Sequence, residues 1–78
     1  MRFRVTTVEA IFTPDGWPVP RSVTWDGERL PVVDTGRRGR ADDGIHVLAL
    51  VGDGRVFELH TNGSLWRAAL VSTPPRFA

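Results

Sequence analysis

Apolar and polar residues alternate along much of the chain, and Asp26-Gly27, Asp53-Gly54 and Asn62-Gly63 interrupt the alternation. Asp-Gly and Asn-Gly accept positive φ at both central positions, which makes them the strongest short hairpin signals. No segment keeps a helical period, and six prolines and eight glycines would break a long helix. The pattern predicts an all-β chain with strands over 2–12, 21–25, 29–33, 45–51, 55–60 and 64–71. Five or six short antiparallel strands in meander order cannot bury their faces while flat. They are expected to coil into a small, partly open barrel of the SH3-like kind. Trp17, in the Pro-rich connection 13–20, is expected to plug one end, and 72–78 to form a loose tail pinned by Phe77.

Two-residue loops at the three turns set a register by counting. Val23 then faces Leu30, and Thr24 faces Arg29. Leu50 meets Phe57 and Leu48 meets Leu59; Leu59 in turn meets Trp66, and Phe57 meets Ala68. Leu48, Leu50, Phe57, Leu59, Trp66, Ala68 and Leu70 make one inner surface, and Glu58 lies opposite Arg67. The reverse face, with Val47, Ala49, Val51, Val56, Leu65 and Ala69, is more apolar than a solvated surface should be. It predicts cover by the first strand and the Pro-rich loop, or a contact with a partner or second copy. In the first strand Phe3 and Val5 are out of phase with Val8, Ala10 and Phe12. A bulge near Thr6-Thr7 would return them to a common face, with Arg2 and Arg4 pointing outward to guard an edge.

Seventy-eight residues make one small domain, residues 1–78. Without cysteine the chain has neither disulfides nor thiolate metal ligands, which suits a reducing compartment. The start lacks the apolar run of a secretion signal and no stretch is long enough to span a membrane, so a cytoplasmic protein is expected. Ten basic residues, all arginine, against nine acidic ones give a net charge of +1. Arginine is the better bidentate phosphate ligand, although GC-rich codon usage yields the same preference. Dedicated nucleic-acid binders usually carry a stronger positive charge.

The ordered landmarks "PRSVTWDGERLPVV", "RGRADD", "DGRVFELH" and "GSLWRAAL" resemble a small bacterial domain of unknown function. That domain is found alone or at the C-terminus of ImuB-like relatives of Y-family DNA polymerases. The similarity runs over about residues 20–71 and rests on Pro20, Arg21, Trp25, Gly27, Asp53, Gly54, Phe57, Glu58, Leu59 and Trp66. These are mostly turn glycines and core aromatics, which speak for fold. Arg38, Arg40, Asp42 and Asp43 also match, whereas Gly39 stands where the family pattern often has a tryptophan able to stack on a base. The resemblance implies a DNA-repair or damage-tolerance setting and no mechanism.

Catalytic chemistry is sparse. The serines lack an elbow motif, and no glycine-rich phosphate loop is present. His46 and His60 have no cysteine or spaced carboxylates around them in the sequence, and by the counted register His60 faces Val47 and Leu65. Structural histidines are therefore expected, with no metal, no cofactor and no enzymatic activity. Asp42 and Asp43 are read as loop caps, short of the oxygens Ca²⁺ requires. The connection 34–44 is read as a loop that carries Arg37, Arg38 and Arg40. Long connections of this kind are often functional. The leading expectation is a non-catalytic module that binds DNA or RNA phosphates through Arg37, Arg38 and Arg40, assisted by Arg2 and Arg4. The alternative is a protein-interaction module that uses Val47, Ala49, Val51, Val56 and Leu65 or an edge strand. It would contact a repair or polymerase-related protein, or a second copy in a weak homodimer.

Overall fold

The computed structural model describes residues 2–73, so the expectation for Phe77 and most of the tail lies outside the described residues. Seven strands make up the chain: β1 (Arg4–Thr6), β2 (Val8–Phe12), β3 (Pro18–Trp25), β4 (Glu28–Ala41), β5 (Gly44–Val51), β6 (Val56–Thr61) and β7 (Trp66–Ser72). No helix occurs among the described residues. All pairings are antiparallel, in the order β1-β7-β6-β5-β4-β3-β2. Only Thr7 separates β1 from β2, yet these two sit at opposite ends of that order. The sheet must therefore curl until β7 and β3 come close enough to share one segment, and it forms a half-barrel. Thr7 marks the crossing: its carbonyl accepts a 3.0 Å bond from Thr24 N, and Thr6 Oγ1 donates to the Thr24 carbonyl.

The phase change in the opening run thus marks a change of partner rather than one bulged strand with a single buried face. β1 pairs with β7 and β2 pairs with β3, so Val5 and Phe12 stand exposed instead of joining the core.

The Asp26-Gly27 hairpin has the counted register. Val23 pairs with Leu30, Thr24 pairs with Arg29, and both Asp26 (φ 50°) and Gly27 (φ 78°) occupy the left-handed region. The other two turns differ. Val51 N donates to Arg55 O at 3.0 Å and Gly54 N to Val51 O at 3.0 Å, which closes a three-residue loop, Gly52-Asp53-Gly54. That one-residue slip pairs Phe57 with Ala49 and Leu59 with Val47, and it reverses every side chain of β5. Val47, Ala49 and Val51 are consequently core residues, 2%, 0% and 1% exposed, and do not belong to an outer interaction face. Leu48 and Leu50 take the outer side, beside half-buried Val56. The last turn spans four residues, 62–65, because Thr61 pairs with Trp66. This slip is by two, so Ala68 still faces the core, but Leu70 is exposed rather than inner and Ala69, expected on the reverse face, is fully buried. Glu58 now pairs with Ala69 and His60 with Arg67. Leu65 lies exposed in the turn.

The core gathers Val23, Trp25, Leu30, Val47, Ala49, Val51, Phe57, Leu59 and Ala68, with Trp66 packed against its margin. The Trp25 and Phe57 rings meet at 5.0 Å. At the open end, Glu9 of β2 accepts 2.5 Å from Ser22 Oγ on β3 and 2.6 Å from Arg29 on β4, which ties three strands together. The Ser22 bond, followed by the Arg29 bond and charge, lowers the Glu9 pKa below its ordinary 4.5. A lowered folded-state pKa stabilises above the unfolded value, and that stability is lost as pH falls through the folded one. Glu9→Gln should therefore melt less steeply than wild type between about pH 5 and pH 3, read by thermal unfolding at each pH.

Candidate nucleic-acid interface

The segment 34–44 is not a loop. β4 runs through it to Ala41, and Asp42-Asp43 turn directly into β5. Its run of Gly, Arg and Asp carries no apolar alternation, so its strand character comes from pairing with the strongly apolar β5. Two bulges, at Val32/Asp34 and Thr35/Arg38, shift the register and re-aim the outer half of the strand. Beyond the second bulge, Arg38 pairs with Val47 and Arg40 with Ile45, so both arginines leave the same face.

The Pro-rich connection meets them there. Thr13 N donates to Trp17 O (2.8 Å), Gly16 N to Thr13 O (2.9 Å) and Trp17 N to Thr13 Oγ1 (3.1 Å), which folds 13–17 into a tight turn. Gly16, at φ 87°, is close enough that a Cβ there would lie 3.3 Å from Arg40 Nη2. Trp17 is half-buried, and its ring lies 4.3 Å from the Arg38 guanidinium carbon and 4.2 Å from that of Arg40. Instead of plugging the barrel, Trp17 holds two arginines. Each such contact contributes about 0.5–1 kcal/mol at an exposed site. The long separation of Trp17 from Arg38 and Arg40 in the chain leaves no local signal of this contact.

Among the described residues, Arg37, Arg38 and Arg40 have no carboxylate within salt-bridge reach, whereas Arg4, Arg29 and Arg55 pair with Asp26, Glu9 and Asp53. Asp34 accepts from Thr35 N at 2.9 Å, and Asp43 faces the two histidines. Asp15 lies within the field of Arg38 and Arg40: its pKa is lowered first by the Thr13 hydroxyl and then, against burial, by its own backbone hydrogen bond and by those two arginines. Its carbonyl accepts from Arg40 Nη2 at 3.4 Å. Arg37 and Arg38 line a cleft of about 350 Å³ together with Gly39, His46, Leu48 and Glu58. Arg2 and Arg4 are not brought there. They line a different cleft beside Trp25, where Arg4 lies 4.0 Å over the indole and 2.7 Å from Asp26.

The histidines are not isolated either. The three-residue loop that turned β5 over sets His46 opposite His60, away from the partners Val47 and Leu65 expected for His60. Asp43 and Glu58 both reach His46.

Compared with known protein families, curated proteins and solved structures, the chain finds no match in any of the three. Among the described residues, no helix is long and apolar enough to cross a membrane.

Proposed function

We propose that the protein is a non-catalytic module that binds nucleic acid by its phosphates, through Arg37, Arg38 and Arg40 on the outer half of the β4–β5 hairpin. One observation carries this reading: three exposed arginines share one short strand segment with no carboxylate partner among the described residues, and two of them are stacked on Trp17. Guanidinium is the natural bidentate partner of a phosphate. Stacking on Trp17 restrains Arg38 and Arg40 beforehand, so less side-chain entropy is lost on binding. The curled meander is akin to small SH3-like barrels, and the similarity to the ImuB-associated domain supplies a repair setting; both are analogies. Arg4, already paired with Asp26, is at most an auxiliary contact.

About three phosphate contacts imply a salt slope near −2.7, hence roughly 40-fold weaker binding at 200 mM than at 50 mM salt. Fluorescence anisotropy with labelled single- and double-stranded DNA should show that slope. Arg37→Ala/Arg38→Ala/Arg40→Ala should abolish it. Flat titrations of the wild type at about 50 mM salt would reject the assignment.

A second reading, contact with a partner or a second copy, is favoured by the open edge of β2, where Ile11 and Phe12 are 57% and 52% exposed. It differs from the first in predicting association that salt does not weaken.

A further inference from the structure

The Asp42-Asp43 turn closes over β6 because residue 44 is glycine. At φ 130°, a Cβ on Gly44 would lie 2.1 Å from the Thr61 carbonyl oxygen. That approach brings Asp43 onto the cross-strand pair His46–His60, whose ring centroids are 4.6 Å apart. Asp43 Oδ1 is 3.2 Å from His46 Nε2, and Asp43 Oδ2 is 3.5 Å from His60 Nε2. One ligand atom from each of the three side chains lies within 4.8 Å of the others. Ligands bound at about 2.0–2.1 Å around a tetrahedral ion stand roughly 3.3–3.5 Å apart. Each spacing, one from each Asp43 oxygen, therefore has about the length of a coordination edge, and a small shift brings one oxygen onto both histidines.

The surroundings have the form a metal histidine requires. His46 Nδ1 lies 3.3 Å from Glu58 Oε2 on the neighbouring strand. A carboxylate there keeps the proton on Nδ1, turns the Nε2 lone pair outward and raises its basicity. His60, which is buried, donates from Nε2 to the Asp43 carbonyl at 2.8 Å. In the tautomer with its proton on Nδ1, the same nitrogen becomes a lone-pair donor. Asp43 and His46 remain partly open to solvent, so an ion can enter and keep water in a remaining position.

We propose that Asp43, His46 and His60 bind a divalent transition-metal ion of the zinc class, with Glu58 as a positioning residue for His46. Two imidazoles and one carboxylate suit such an ion better than Ca²⁺ or Mg²⁺, which prefer oxygen ligands alone. This site stands on the hairpin end and does not depend on nucleic-acid binding by the arginines.

The test uses the full chain, freed of metal by a chelator, titrated with Zn²⁺ by calorimetry and by proton NMR of the imidazoles. Since the chain has two histidines, both ring signals should move together as one equivalent binds. The thermal midpoint should rise on the order of 10 °C once free Zn²⁺ reaches about a hundred times the dissociation constant. His46→Ala/His60→Ala should lose the binding. Glu58→Gln should weaken it about tenfold while its metal-free melting stays close to wild type. Wild-type imidazole signals that do not shift at saturating Zn²⁺, or calorimetric binding that persists in the double variant, would overturn the assignment.

Discussion

Phe57→Ala is expected to remove a quarter or more of the domain's stability, a loss of about 3–5 kcal/mol. Phe57 is fully buried, packs against Trp25 at 5.0 Å and stands opposite Ala49 and Leu70 on the two neighbouring strands. Ala49, with only a methyl group, cannot fill a ring-sized gap from β5. Truncating a buried phenylalanine costs about 3–5 kcal/mol. A chain of this length holds only ~4–12 kcal/mol in all, and without cysteine it has no disulfide to fall back on. Urea unfolding monitored by tryptophan fluorescence reads the loss directly. Phe57→Leu keeps most of the volume and should fall far less. An alanine variant that unfolds at the wild-type midpoint would show that the core is not centred on β6.

Gly44→Ala should be nearly as damaging, for a different reason. A methyl group at residue 44 collides with backbone at Thr61, and the φ of 130° is itself unfavourable for an L side chain. Backbone strain of this kind costs about 1–3 kcal/mol, before the displacement of the turn is counted. Gly63→Ala is the control, because Gly63 also has positive φ (96°) but nothing within 4 Å of an added Cβ. The difference between the two variants isolates the close approach of the β4–β5 turn to β6. Wherever Gly44→Ala remains folded, Asp43 is carried away from His60, so zinc binding should fall with stability. Equal melting temperatures for Gly44→Ala and Gly63→Ala would mean that this approach does not exist in solution.

How far the fold was legible in the sequence depended on the information in each turn. Asp26-Gly27 stands between segments with one clear apolar alternation, and counting from it placed Val23 on Leu30. In "IHVLALV" either alternation is apolar, so β5 could not report its own face, and everything rested on loop length. A glycine on each side of Asp53 signals the longer turn, with Gly54 at φ 92°. Counting with that loop puts His46 opposite His60, so the cluster with Asp43 was within reach of the sequence. Two other features were not. The strand over 34–41 arises from its partner, since bulged Gly-Arg-Asp sequence has no period of its own. Trp17 is joined to Arg38 and Arg40 only by the tertiary path of the Pro-rich turn. The arginines themselves were identifiable from residue type, whereas their freedom from Asp34, Asp42 and Asp43 required coordinates.

The assignment of the outer β4–β5 hairpin as a phosphate-binding surface is tested most directly by amide NMR of the labelled protein. A short oligonucleotide is added at low salt. Shifts should concentrate at residues 37–41 and at the Trp17 indole N–H, and raising the salt should reverse them. Shifts confined to the β1 end around Arg2 and Arg4, or no shifts at all, would contradict it.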